Sequence, residues 1–190
     1  MTATETACAA AQELADSFGV APKINVYRTE SGEEGVAIAT FTDCPAPAIH
    51  SVGTVSLSDH DLGYDHDGLR LEIVAAYPAA AQAFPNMIAS SALAVIRGDW
   101  RLRRGAVHPD VVKMYGLSAT LEHVVFVRPF LWGDGPRDLD AGGRTIGWLM
   151  AVPISEAERA YAEASGAIAL ENLLAKHRVD SLDLNRPSVI

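Results

Sequence analysis

Residues 145–158 read TIGWLMAVPISEAE, and this stretch joins two strong structural signals. Its first part, Thr145 to Val152, is a continuous apolar run, which is typical of a strand covered on both faces. Its second part begins a helix, because Ser155 can cap backbone amides while Glu158, three residues later, reaches back to complete a capping box. The stretch therefore predicts a strand near the middle of a sheet that leads into a helix.

Shorter segments on the N-terminal side complete the sheet. Each is β-branched, apolar or alternating, and most are bounded by Gly, Pro or Asp: Ile24–Tyr27, Val36–Phe41, Val52–Leu57, Leu69–Val74 and Val124–Val127. In the fourth of these, apolar and charged residues alternate, so Arg70 and Glu72 are predicted to point away from the core.

Two further stretches have the apolar periodicity of helices, residues 4–18 and residues 79–96. Pro85 is expected in the first turn of the second helix or at a kink. The strands and helices do not alternate as βαβ units. The order favours an α+β fold with a central mixed, mostly antiparallel sheet and helices packed against it.

Length and composition indicate one domain over residues 1–190, with residues 1–20 as an N-terminal helix. The chain is 49% hydrophobic and 21% charged, which excludes global disorder. Cys8 and Cys44 form no CxxC pair, so no disulfide framework or zinc ribbon is predicted. The polar N-terminus and the lack of a long apolar run predict a cytoplasmic protein that has no membrane partner.

The charge is strongly one-sided. Fifteen Lys and Arg against 24 Asp and Glu give a net charge of −9, which argues against a nucleic-acid partner. The whole surplus lies in the first half, where four aspartates fall within nine residues: Asp59, Asp61, Asp65 and Asp67. Such a run is either a solvated loop or a patch that attracts a positively charged partner.

The same segment is the best candidate for chemistry, because it also contains His60 and His66. A calcium loop counted from Asp59 would need glycine and glutamate where the chain has Tyr64 and Arg70. The chain contains no HExxH, GxSxG, GxGxxG or GxxxxGK[ST] motif. We therefore predict no catalytic, cofactor-binding or metal-binding residue and expect no enzyme.

A second hypothesis stays open. It is a small hydrolase or metal-dependent enzyme that uses residues 59–67, with His108 or His123 brought close by folding.

Five segments in order resemble one known family: residues 54–60, 70–74, 121–132, 146–158 and the chain end NRPSVI at 185–190. Together they resemble the suppressor of fused-like domain in its bacterial single-domain form, from about residue 24 to residue 190. The resemblance implies an α+β domain that has no known catalytic residues and binds another protein. Bacterial members of this kind are often placed among immunity proteins that neutralise toxins.

The favoured hypothesis is therefore a non-enzymatic protein-binding domain, an immunity protein that neutralises a toxin by direct binding. Its predicted partner-binding residues are Asp59, Asp61, Asp65, Asp67 and Trp132. The acidic charge favours a basic toxin as partner, because opposite charges accelerate association. Homo-oligomerisation stays open at this point.

Overall fold

The computed structural model describes residues 3–63 and 68–190, which are called the described residues below. Their helices are α1 (Glu5–Phe18), α2 (Phe84–Ile96), α3 (Val111–Met114), α4 (Glu156–Ser165) and α5 (Ala167–Lys176), with a 3-10 turn at Leu57–Asp59. Their strands are β1 (Lys23–Arg28), β2 (Gly35–Phe41), β3 (Ile49–Thr54), β4 (Leu69–Pro78), β5 (Val107–His108), β6 (His123–Val127), β7 (Leu139–Ala141) and β8 (Arg144–Ile154).

One eight-stranded sheet organises the described residues. Its order is β1-β2-β3-β4-β8-β6-β5, and β7 pairs with the first part of β8. All pairs are antiparallel except β4 with β8, so the sheet is mixed and mostly antiparallel, as predicted. The apolar strand β8 lies between β4 and β6, which confirms the central position expected from its sequence.

Helices cover both faces of this sheet. On one face, Phe84, Met87 and Ile88 of α2 pack into a cluster with β2, β3, β4 and β6. On the other face, Leu14 and Phe18 of α1 belong to a second cluster, together with residues of β8, α4 and α5. No helix among the described residues has both the length and the apolar character needed to cross a bilayer.

The predicted starts of α1 and α4 rest on caps that the structure contains. The Thr4 hydroxyl accepts a hydrogen bond from the Ala7 amide at the start of α1, and Gly19 ends that helix with φ at +69°. At α4, Ser155 and Glu158 form the complete capping box. The helix predicted over residues 79–96 begins only at Phe84, so its predicted start is wrong. Pro85 lies in its first turn, where the missing N–H costs nothing.

The expectation that Glu72 points away from the core is wrong. Its side chain is 0% exposed, because α1 covers the face of the sheet that the alternating pattern had left to solvent. The carboxylate instead accepts hydrogen bonds from the backbone amides of Leu57 at 3.2 Å and Ser58 at 2.9 Å. The strand predicted to run to Leu57 accordingly ends at Thr54 and gives way to the 3-10 turn.

Candidate partner-binding surface

Two acidic segments lie side by side at one end of the domain. The turn between β1 and β2 carries three glutamates. The first two aspartates of the predicted run lie at the end of the 3-10 turn and just after it. The two segments are joined by the His60 ring, whose Nε2–H donates to the Gly35 carbonyl at 3.2 Å. We call this surface the acidic pole, and its described members are Glu30, Glu33, Glu34, Asp59 and Asp61.

The three glutamates were missed by the sequence analysis. They are separated from Asp59 by two strands, so only the pairing of β2 with its neighbours brings them close to it. The available signal was their position in a turn between two predicted strands, where side chains are solvated. Glu30 and Glu33 are exposed and Glu34 is half-buried.

Asp59 has a structural contact that the charge pattern did not predict. Its carboxylate accepts hydrogen bonds from the hydroxyls of Thr4, at 2.9 Å, and Thr6. Because Thr4 also caps α1, these contacts fasten the start of that helix to the 3-10 turn. Substituting Asp59 would therefore disturb the packing of α1 as well as the surface charge.

Asp61, unlike Asp59, makes no described contact with α1. It is exposed, accepts a hydrogen bond from the Gly63 amide at 3.2 Å and lies 3.7 Å from the Arg70 guanidinium. Arg101 donates to the Gly63 carbonyl at 2.6 Å and holds this segment to the region after α2. The predicted contacts Asp65 and Asp67, with His66 between them, lie outside the described residues.

Trp132 lies away from the acidic pole. Its ring stacks on Phe18 with centroids 4.8 Å apart, and its indole N–H donates to the Ser51 hydroxyl at 2.9 Å. Phe18 is the last residue of α1, whereas Asp59 contacts the residues that begin it. A helix of 14 residues is about 21 Å long, so the two parts of the predicted surface lie at opposite ends of α1.

The described histidines do not converge on one pocket. His60 contacts Gly35, whereas the Nδ1 of His108 contacts the Ser91 hydroxyl at 2.9 Å, and burial lowers the pKa of His108. His123 contacts Glu156 through Nε2 at 2.7 Å. This arrangement does not supply the three-residue cluster that the enzymatic hypothesis requires among the described residues.

Three potential metal-ligand atoms do lie within 4.8 Å of one another, on Asp110, Glu122 and His123. However, the Nδ1 of His123 accepts the Asp110 backbone N–H at 2.8 Å, so its lone pair is already used. The other ring nitrogen then carries the proton and donates it to Glu156. Both nitrogens of His123 are satisfied by protein groups, as in a structural histidine.

Solved structures share this mixed-sheet α+β architecture, which is that of suppressor of fused domains. A SUFU homologue from Neisseria gonorrhoeae FA 1090 aligns with a TM-score of 0.69, at 16% identity over 97% of both chains. The Sufu-Fu complex crystal structure gives the same TM-score at 13% identity, over 97% of this chain and 90% of the other. Drosophila Suppressor of Fused gives 0.53 at 13% identity, over 95% of this chain and 45% of that protein.

The sequence itself matches as well. The family model described as Suppressor of fused protein (SUFU) matches residues 32–187, so this chain belongs to the suppressor of fused protein family. It is also 34% identical, over 182 residues and 95% of both chains, to "Immunity protein YqcF" of Bacillus subtilis (strain 168). The predicted fold class and family resemblance are thus confirmed.

Proposed function

We propose that this chain is a non-enzymatic immunity protein that neutralises a protein toxin by binding it directly. The observation that carries the proposal is the similarity to an immunity protein along almost the whole length of both chains. Family membership adds support, since one structure of the same fold is a complex of Sufu with Fu. The toxin is expected to present a basic surface to the acidic pole.

The geometry of the acidic pole supports this role. Glu30, Glu33 and Glu34 make no ion pair with any residue in 3–63 or 68–190, so their field is not neutralised by those parts of the chain. Unpaired charges of one sign on exposed turns raise the rate at which an oppositely charged protein associates. Rapid capture is what an inhibitor of a toxin requires.

The test is a triple variant that removes charge from the acidic pole and keeps its structure. Glu30→Gln, Glu33→Gln and Asp61→Asn leave out Asp59, whose carboxylate fastens α1. The side-chain oxygen that Asp61→Asn retains can still accept the Gly63 amide. After the toxin is isolated from the native cell at low ionic strength, we expect the association rate to fall about tenfold in stopped-flow mixing.

The matched control removes three charges away from both the acidic pole and Trp132, with Asp180→Asn, Asp183→Asn and Glu163→Gln. All three positions are exposed, so both triple variants carry the same net charge and differ only in where it was removed. The control is expected to bind the toxin at nearly the association rate of the native protein. Added salt should reduce the difference in association rate between the two triple variants, because salt screens exposed charges. Equal association rates for both variants, or chemical conversion of the toxin by the protein, would contradict the proposal.

A further inference from the structure

The two edge strands of the sheet differ in length and in exposure to solvent. One edge is β5, which has only two residues, both half-buried. The other is β1, a six-residue strand in which every residue except Tyr27 is exposed. No described residue pairs with β1 on the side away from β2.

The hydrogen-bond pattern shows which backbone groups face outward. The Thr29 amide donates to the Glu34 carbonyl at 3.1 Å, one step beyond the ladder that joins β1 to β2. Since bonded pairs alternate along an antiparallel ladder, Lys23, Asn25 and Tyr27 direct their N–H and C=O groups to β2. The N–H and C=O groups of Ile24, Val26 and Arg28 therefore point out from the edge.

Two exposed side chains on one face of this edge are apolar, although the strand also carries Lys23, Asn25 and Arg28. Ile24 is 48% exposed and Val26 is 58% exposed. They lie opposite Ala39 and Ala37 of β2, which contact the core on the α1 side of the sheet. An added strand with apolar residues at alternate positions would extend that core outward. Natural proteins seldom leave an apolar edge strand without a cover.

Charge indicates the kind of strand that would bind. The end of β1 runs directly into the turn that carries Glu30, Glu33 and Glu34. A segment lying along β1 therefore continues over carboxylates that make no ion pair within the described part of the chain. Charge complementarity therefore favours a bound segment with basic residues where it lies over this turn. A second copy of this chain is a poor fit, because each copy carries a net charge of −9 and a six-residue pairing buries much less than the roughly 1,200 Å² of stable interfaces.

We propose that β1 binds an extended segment of the neutralised toxin as an additional antiparallel strand, with apolar residues facing Ile24 and Val26 and basic residues over the acidic pole. This inference rests on the proposed function and names the binding mode. Backbone hydrogen bonds along the open edge provide affinity, and the alternating side chains provide specificity.

The probe is a synthetic peptide of alternating valine and threonine that begins with a pair of lysines. In the antiparallel orientation its N-terminal lysines lie over the acidic pole. We expect the peptide to slow hydrogen exchange at the amides of Ile24, Val26 and Arg28 selectively, as followed by NMR, since the intervening amides already bond to β2. The same peptide with N-methylated valines, and a version with glutamates in place of the lysines, should bind much more weakly.

A backbone variant gives the second measurement. Val26→Pro removes an outward N–H without removing a bond to β2, and edge strands tolerate proline at such positions. We expect it to weaken binding of the peptide and of the toxin about tenfold, the equivalent of one backbone hydrogen bond. Val26→Thr keeps the N–H and the β-branched shape and is expected to bind nearly as the native protein does.

Three results would overturn the inference: no peptide binding, binding without protection of those three amides, or a dimer in sedimentation that Val26→Pro abolishes. A different result would overturn the proposed function, namely chemical conversion of the toxin by the protein. If the toxin binds the native protein and Val26→Pro equally well, toxin neutralisation survives and only strand addition is lost.

Discussion

Replacing Arg186 with methionine is expected to lower the free energy of unfolding by about 3–5 kcal/mol, the usual cost of removing one partner from a buried ion pair. The Arg186 side chain is almost fully buried and Glu158, its partner, is completely buried. The guanidinium donates to the two carboxylate oxygens at 2.7 and 2.9 Å, in a bidentate arrangement. Without Arg186, the Glu158 carboxylate would lose its only described counter-charge.

This ion pair also fastens the chain end to the centre of the fold. Arg186 donates to the Pro153 carbonyl at the end of β8, and Glu158 accepts the Val189 amide at 3.1 Å. Burial alone would raise the pKa of Glu158, but the hydrogen bonds from Arg186, Ser155 and Val189, together with the Arg186 charge, outweigh burial and hold that pKa below its ordinary value. In the native protein this group therefore stabilises the fold at neutral pH, and the contribution is lost as the pH falls through the folded pKa.

Urea unfolding at pH 7 measures the effect of Arg186→Met. A suitable control is Lys113→Met, which breaks the exposed ion pair with Glu122 and should cost less than about 1 kcal/mol. The double variant Arg186→Met with Glu158→Gln should recover part of the loss, because no unpaired buried charge remains. A loss for Arg186→Met no larger than that of Lys113→Met would show that the pair contributes little.

The second large effect concerns pH and the buried carboxylate of β4. Burial raises the pKa of Glu72 from its ordinary 4.5 to about 7, although hydrogen bonds from Thr54, Ser58 and Leu57 oppose the shift. Between those two pH values the folded protein keeps a proton that the unfolded chain has released. The contribution of Glu72 to the free energy of unfolding therefore falls as the pH rises, by about 1.4 kcal/mol per unit and about 3 kcal/mol over the interval.

The Glu72→Gln variant removes this titration. We expect its free energy of unfolding to decline less steeply than that of the native protein between pH 4.5 and 7, whatever its stability at a single pH. The glutamine offers only one acceptor oxygen to the two amides of Leu57 and Ser58, so part of the stability is lost at low pH.

The control for this pH series is Glu163→Gln, which removes an exposed carboxylate on α4. This substitution should change the stability little, because an exposed ion pair such as that of Glu163 with Arg159 contributes little. If the Glu72→Gln curve runs parallel to the native one, Glu72 does not titrate in this interval.

Local signals along the chain predicted much of the fold. The apolar run of β8, the capping box at Ser155 and Glu158, and the glycine at position 19 each depend on neighbours within a few residues. Such signals can be interpreted from sequence because hydrophobic period and capping are local properties. The family resemblance, carried by ordered segments, was likewise available from the sequence.

The candidate site was predicted less completely. The acidic excess and the aspartates at 59 and 61 could be identified from the sequence, but their different roles could not. The hydrogen bond between Asp59 and Thr4 joins residues 55 positions apart, so no local pattern indicates it. The sequence likewise did not indicate that Trp132 and Asp59 lie at opposite ends of α1. Asp65, Asp67 and Trp132 remain predictions as partner contacts.

By itself, the sequence determined the α+β class, the buried central strand, the starts of α1 and α4, and the acidic charge, because these follow from residue type and short-range periodicity. The tertiary structure decided which charges are exposed and which are buried. Glu72 and Glu158 have the same side chain as Glu30 and Glu33, yet the first pair is fully buried and the second is solvent-exposed. The burial and the available partners of a carboxylate are set by segments distant in sequence, and only the packing of α1, β8 and the chain end brings those segments together.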